Sequence, residues 1–359
     1  LVPKIRFLKI SYCKQKYNML QYFLQNVSKG RELAKIIDLK QENIHKIRSC
    51  FYQGGTWTKH QLSSQTGISL AGTTNILQIL ENSEEIEFID NARSTGGRKS
   101  KLYQLREDHI HIGTIILSHI FSQYRIRANS FNLGGHSVYE QIVVSPTGTL
   151  DEIHNVVKKL ITSDPLIQVL VLSFPGIIGE QGEIIYSDFE HISQKNLLSS
   201  LSSLTTIPII LENDVNVASL GYCSIHPEFR TLALLYQPDT DFAGSGIIIN
   251  KRLHRGRNGF AGEVGYLMNG YKPANRQSRS NDFTFLLLNQ ITALTSVIAP
   301  DAIAYYCPSL QENIKISDTH LPKEFQPTLE RLTEIDPFIL NGVQSIGKNK
   351  LLEIKRRTI

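Results

Sequence analysis

Two acidic residues in this chain stand where their surroundings suit them to chemistry. Asp214, with Asn213 before it, closes the run "IPIILEND", whose apolar residues predict a buried strand. Such a strand ends at the edge where open α/β sheets present ligand-binding side chains. A carboxylate there can accept a hydrogen bond from a ligand hydroxyl, or act as general base toward a hydroxyl facing a phosphoryl donor. Asn and Asp are equally the residue types that cap a helix, and "VNVASLGYC" reads as the helix they would cap, so position alone leaves both roles open. Glu263 is the one acid in "HRGRNGFAGEVGY", where Gly256, Gly259, Gly262 and Gly265 recur every third residue and let the backbone pack closely on a neighbour. "SFPGIIG" places Ser173 and the backbone of Gly176 after another buried strand, as part of the same cleft or as a plain tight turn.

The frame that would hold these residues is written after Asp108. "HIHIGTIILSHIF" reads as a strand, and "YRIRANSFNLGGHSVYEQIVV" as two more joined at Gly134 and Gly135. "LDEIHNVVKKLIT" is an amphipathic helix, "IQVLVLSF" a buried strand and "PGIIGEQGEIIYS" a turn and hairpin, while "TLALLYQ" and "GSGIIIN" begin a second set of strands. Three strands, a helix, a strand and a helix, begun again, predict two α/β lobes with a cleft between them. They would occupy residues 108–359, lobe one over about 108–225 and lobe two over about 226–359.

The N-terminal part has a different character. Residues 1–110 carry 17 Lys and Arg against 10 Asp and Glu, so this is the part suited to a polyanion. Ile44, Ile47, Cys50 and Phe51 recur at helical spacing until "QGGTW" interrupts them. Thr58 can cap a second helix, "KHQLSSQTG", with Leu62 and Thr66 inward and Gly67 at its end; Ser69 can cap a third, "LAGTTNILQILENSEE", with Thr73, Leu77 and Leu80 inward. The short turn "TGIS" makes this pair a helix-turn-helix, and the strands Ile86–Ile89 and Lys101–Leu105 around a basic tip make a wing. Residues 41–107 are therefore expected to form a winged helix-turn-helix that binds double-stranded DNA, preceded by an extension, residues 1–40, with no assigned role. Ser69, Gly72, Thr74, Asn75 and Gln78 would face the major groove. The third helix has no Arg or Lys, so adenine contacts by Asn75 or Gln78 are expected rather than bidentate guanine contacts. Lys59, Arg93, Arg98, Lys99 and Lys101 would hold phosphates.

No window approaches the roughly 20 apolar residues that cross a bilayer, so a cytoplasmic location without a membrane partner is expected. Cys13, Cys50, Cys223 and Cys307 lie far apart with no CxxC pair, which predicts free thiols and neither a zinc knuckle nor a disulfide framework.

In order, these segments resemble the ROK family (repressors, open reading frames and kinases), and within it the winged-helix regulators of sugar metabolism. "GSGIIINKRLHRGRNGFAGEVGY" is similar to the family's long glycine-rich run ending in Gly-Glu-x-Gly-His, and "LENDVNVASLGY" to its Glu-Asn-Asp-x-Asn segment. "SFPGIIG" looks like its Pro-Gly turn, and "GGRKSKLYQL" like the end of the wing in its regulators. The resemblance covers about residues 43–300. It implies a two-lobed actin/hexokinase-like (ribonuclease H-like) domain that closes on a sugar. Asn213 and Asp214 would contact sugar hydroxyls, Asp214 at the place of the kinases' base, and Glu263 would hold the ring from the other lobe. Gly176 and Tyr266 complete the expected ligand set. The family's kinases open their core with an Asp-x-Gly-Gly-Thr phosphate loop, whereas "HIHIGTIILS" has none and His111 is expected where that Asp would stand. "CPSL" takes the place of a glycine-rich segment that packs on adenosine. Tyr266 replaces the family's zinc-binding His, and "LMNGYKPANRQSRSND" holds neither Cys nor His, so no zinc and no cofactor are expected.

The function expected from this is not enzymatic: a DNA-binding regulator, a repressor, acting as a homodimer whose hold on its operator is modulated by a sugar or sugar phosphate between the lobes. The alternatives are an ATP-dependent sugar kinase with an appended DNA-binding domain, and a constitutive regulator that has lost sugar sensing.

Overall fold

The structure, a computed structural model, describes residues 38–91, 100–120, 123–179, 182–187, 189, 192, 196–238, 243–268 and 279–357. They form two compact units: the residues up to Arg106 together with those from Leu352, and Glu107–Leu351.

In the first unit, helix α1, described over 38–52, is followed by β1 (Thr56–Thr58), α2 (Lys59–Thr66), α3 (Leu70–Asn82), β2 (Ile86–Asn91) and β3 (Lys101–Leu105). The strands make an antiparallel sheet in the order β1-β3-β2. Local chemistry sets the helix ends. The Thr58 hydroxyl accepts from the Gln61 backbone N–H at 3.3 Å while the Gln61 side-chain oxygen accepts from the Thr58 N–H at 2.8 Å, a reciprocal pair that starts α2. Gly67 ends it, and the Ser69 hydroxyl starts α3 by accepting from the Gly72 N–H at 3.2 Å. Ile44, Ile47, Phe51, Leu62, Leu77 and Leu80 are buried together with Thr73, as the helical spacing predicts, whereas Thr66 is half-buried.

The second unit begins with β4 (His111–Ile120), β5 (Gln123–Asn132), β6 (Ser137–Ser145), α4 (Leu150–Ser163) and β7 (Ile167–Phe174). It continues through β8 (Gly176–Ile178), β9 (Ile184–Ser187), α5 (Asn196–Ser202), β10 (Ile209–Asn213) and α6 (Asp214–Ile225). There follow β11 (Leu232–Tyr236), β12 (Gly244–Ile249), β13 (Arg252–Leu253), α7 (Arg279–Ile298), β14 (Ala302–Tyr306), β15 (Thr328–Arg331) and α8 (Asp336–Arg357). Two five-stranded sheets result, β10-β7-β4-β5-β6 and β13-β12-β11-β14-β15, with β8 and β9 as a separate hairpin. Because β4, β7 and β10 are parallel, their carboxyl ends share one edge. Helix α4 buries Ile153, Val156 and Leu160 among Leu170, Leu172 and Leu211 of the first sheet; α7 buries Phe283, Leu287 and Ile291 among Ala233, Leu235 and Ile303 of the second. Each such aliphatic side chain contributes roughly 1.5–3 kcal/mol of burial free energy.

Helix α8 corrects the expected division of the chain. It does not stay with lobe two, because Gly342 packs on the Val217 carbonyl of α6 and Gly347 on Ile112 of β4. Its last residues, from Leu352, cluster with the first unit instead. There the buried Arg48 donates to both Glu85 oxygens, at 2.7 and 3.0 Å, and to the Lys355 carbonyl at 3.1 Å.

Candidate functional site

Strands β7 and β10 end side by side, Phe174 opposite Asn213, and the site is built from that edge. Glu212, buried at 3% exposure, is its hub. Its Oε1 accepts from the Asn213 backbone N–H and from the Asn216 side-chain amide, both at 3.0 Å. Its Oε2 accepts from Nε and Nη2 of Arg255 at 2.9 and 2.5 Å. Four donors on one buried carboxylate are what removing a charge from water requires.

Asn213 is tied down as well. Its Oδ1 accepts from the Asn216 N–H at 2.9 Å and so caps α6, while its Nδ2 donates to the Gly176 carbonyl at 2.8 Å and to Asp214 Oδ1 at 3.2 Å. The capping role therefore describes Asn213, and Gly176 serves through a carbonyl that joins β8 to α6. Asp214, half-buried, takes the first position of α6, where the positive end of the helix favours a carboxylate, and its Oδ1 accepts from the Val215 N–H at 2.9 Å.

Glu263 arrives from the other sheet. Gly244 of β12 packs on Val215, and the next residue, Ser245, donates its N–H to the Gly262 carbonyl at 2.7 Å. Gly262 has φ +93°, and a Cβ there would stand 1.7 Å from the Ser245 carbonyl oxygen, so only glycine allows the approach. The start of β12 thus packs Gly244 on Val215, the residue after Asp214, and bonds Ser245 to Gly262, the residue before Glu263. Burial pushes the Glu263 carboxyl up to about 7. Tyr266, 55% exposed, stands with its ring 5.4 Å from that of Phe260. Among the described residues no group of three or more His, Cys, Asp or Glu could hold a metal ion, and none of the helices is long and apolar enough to cross a membrane.

His111 is not where a phosphate loop would need it. It opens β4 beside Ile167, the first residue of β7, at the opposite end of the parallel strands from Asn213. There it is buried against Asp164, with Nδ1 2.9 and 2.7 Å from the two carboxylate oxygens, and acts as a structural tie. The expected equivalence with a kinase Asp is therefore corrected by strand direction. The sequence reading also passed over Glu212 and Arg255. An acid one residue before Asn213 looks like any strand residue, and its partner lies 43 positions away.

Of the DNA-facing candidates in the first unit, Lys59, Ser69, Thr74, Asn75, Gln78 and Lys101 are exposed and Gly72 is half-buried. Thr74 donates its hydroxyl to the Leu70 carbonyl at 2.8 Å, and Lys101 places Nζ 5.5 Å from the centre of the Phe88 ring. Arg93, Arg98 and Lys99 lie outside the described residues.

Residues 124–277 match the model of the ROK family. The chain is 25% identical over 234 residues to a xylose repressor of Staphylococcus xylosus, covering 62% of this chain and 60% of that protein. It is 23% identical over 229 residues to a xylose repressor of Bacillus subtilis (strain 168), covering 58% and 56%. The match thus spans three fifths or less of either relative's length. A solved structure, described as a ROK family transcriptional regulator and homologue of the E. coli MLC protein, superposes with TM-score 0.67 over 89% of this chain and 99% of that one; at 14% identity this shows a shared fold. The mixed α/β second unit of this chain carries a ROK-family domain.

Proposed function

We propose that this chain is a DNA-binding transcriptional repressor whose second unit, a two-lobed actin/hexokinase-like domain, binds a sugar or sugar phosphate that changes its affinity for an operator. The observation that supports this reading is at the start of β12, where Gly244 packs on Val215, next to Asp214, and Ser245 bonds to Gly262, next to Glu263. A sugar offers hydroxyl donors around its ring, and carboxylates from two sheets accept them from two sides, so that binding favours a closed arrangement. Similarity to proteins named xylose repressors supports a monosaccharide ring as the recognised unit.

For the first unit, the order of α2, the turn at Gly67, α3 and the sheet β1-β3-β2 supports a winged helix-turn-helix. Ser69, Gly72, Thr74, Asn75 and Gln78 would face the major groove, with Lys59, Lys101 and the wing residues Arg93, Arg98 and Lys99 on phosphates. A homodimer would present two such units to a palindromic operator. Against a kinase stands the run 110–123, which contains no Asp or Glu to hold a metal-bound phosphate.

Gel shifts of the full chain on the DNA upstream of its own gene, at two salt concentrations and with D-xylose or D-glucose added, test the reading. Binding that weakens with salt and again with one sugar is expected. Binding to that DNA and to unrelated DNA alike, with no response to sugar, would refute it. ATP-dependent phosphorylation of a sugar that disappears in Asp214→Asn would refute the non-enzymatic part.

A further inference from the structure

A cavity of about 640 Å³ opens beside the turn of Glu263, and its walls are the wrong chemistry for holding a lone sugar. Ile177, Ile185, Tyr186, Phe260 and Tyr266 line it, with Arg257 among the few polar groups. Three of these are aromatic rings about half exposed: Tyr186 at 49%, Phe260 at 50% and Tyr266 at 55%. Sugar hydroxyls are met by polar acceptors, whereas aromatic faces carry a negative quadrupole that attracts the C–H face of a sugar or the edge of another ring.

The cavity is walled by chain neighbours of the candidate sugar-binding residues. Phe260 and Tyr266 lie three residues before and after Glu263, and their turn is closed by bonds from the Glu263 N–H to the Phe260 carbonyl and from the Tyr266 N–H to the Glu263 carbonyl. Ile177 follows Gly176, whose carbonyl holds the Asn213 amide. On its far wall, Tyr186 and Ile185 belong to β9, which pairs with β8. The volume falls within the roughly 300–1,000 Å³ of pockets that take whole small ligands. Phe260 and Tyr266 meet at 49°, so their rings form an angled wall rather than a closed stack, and ring surface faces the cavity.

We propose that this cavity is an aglycone subsite and that the effector is a glycoside: one sugar ring at Asp214 and Glu263, and a second ring, sugar or aromatic, against Phe260, Tyr266 and Tyr186. The proposal rests on the sugar-binding reading above and names the ligand class of the same site. Burying a second ring against these side chains adds apolar contact that a monosaccharide leaves unused.

Calorimetry on the full chain separates the two claims. The probes are D-xylose, D-glucose, xylobiose, cellobiose and p-nitrophenyl β-D-xyloside. At least one two-ring probe should bind about tenfold or more tighter than its own monosaccharide, a difference of about 1.4 kcal/mol. Phe260→Ala and Tyr186→Ala should remove that advantage while the monosaccharide dissociation constant stays within about twofold. Thermal melts check that both variants, made at exposed positions, remain folded. Two-ring probes that bind no tighter than monosaccharides, or substitutions that weaken both classes equally, overturn the subsite and leave monosaccharide sensing standing. If no probe binds and Glu263→Gln changes nothing, the sensing reading falls and the subsite falls with it.

Discussion

Arg255 reaches across to Glu212 with two guanidinium nitrogens, Nε at 2.9 Å and Nη2 at 2.5 Å, both on the same carboxylate oxygen. The other oxygen of Glu212 positions Asn213 and Asn216, so the pair links the glycine-rich segment after β13 to the carboxyl end of β10. Arg255→Ala leaves a buried carboxylate short of donors on one side, which costs about 1–3 kcal/mol. The lower part of that range is expected, because the guanidinium is about half exposed and water can replace some of its donors. The variant should melt at a lower temperature and bind sugar at least severalfold more weakly. Arg255→Lys should recover only part of this, since an ammonium restores the charge without the planar pair of donors. Wild-type sugar affinity in Arg255→Ala would show that the pair holds fold and not site.

Glu263 makes the site sensitive to pH. Its carboxyl is raised from 4.5 to about 7 by burial, so the folded, unliganded protein keeps a proton that the unfolded chain releases at lower pH. The sign follows from proton linkage: this residue favours folding most below about pH 4.5, and the contribution is lost as pH rises through 7. Sugar hydroxyls need the ionised acceptor, so affinity runs the opposite way and rises with pH until the carboxylate is fully formed near pH 8, approaching tenfold per unit on the acid side. Calorimetry at pH 6 and pH 8 reads the affinity, and apo melts over the same range read the stability. Both pH effects should flatten in Glu263→Gln. A wild-type affinity equal at the two pH values would remove Glu263 from the ligand.

How far the sequence disclosed this arrangement depended on the range of the interactions. Runs such as "IQVLVLSF" and "LDEIHNVVKKLIT" have a single period and local caps, and they became β7 and α4 with boundaries close to those expected. Asp214 and Glu263 could be singled out as candidates because strand ends and glycine-rich approaches leave local marks. The Glu212 and Arg255 pair was not, because nothing near either residue announces a partner 43 positions away. His111 was misplaced for a related reason: a strand carries no local mark of which end is which in the sheet, and only pairing with β7 shows that His111 lies at the end opposite the carboxyl ends of β7 and β10. Helix α8 escaped because Gly342 and Gly347 interrupt the apolar stripe of Ile339, Val343 and Leu351 on its inner face, and Gly342 packs backbone to backbone on α6.

That packing gives a substitution for which two local rules disagree. Gly342→Ala should gain about 1 kcal/mol from helix propensity alone. Yet the new Cβ would lie 1.9 Å from the Val217 carbonyl oxygen, and at the same crossing a Cβ on Gly221 would lie 1.8 Å from the Phe338 carbonyl oxygen. Backbone atoms cannot rotate away, so α8 and α6 must separate, at a cost of about 1–3 kcal/mol. A lowered melting temperature is expected. Because α6 begins at Asp214, weaker sugar binding should accompany it. A stabilised variant would show that the crossing is looser than these distances describe.

In the proposed DNA-binding unit, the outward face of α3 carries no Lys or Arg, which would separate what reads sequence from what supplies affinity. Asn75 and Gln78 are exposed one turn apart while Thr73, Ile76, Leu77 and Leu80 point inward, so only the former are free to meet base edges. Asn75→Ala or Gln78→Ala should cost about 1–3 kcal/mol on the native operator and little on scrambled DNA, since an amide pairs with adenine through two hydrogen bonds that alanine lacks. Lys101, exposed on β3 with its ammonium over the Phe88 ring, would meet phosphate instead. Lys101→Ala should weaken both DNAs alike and reduce the slope of log affinity against log salt by about one. Anisotropy titrations of both duplexes across a potassium chloride series measure the two effects together. Equal losses on both duplexes for Asn75→Ala would mean that α3 touches the backbone only and that the bases are read from elsewhere.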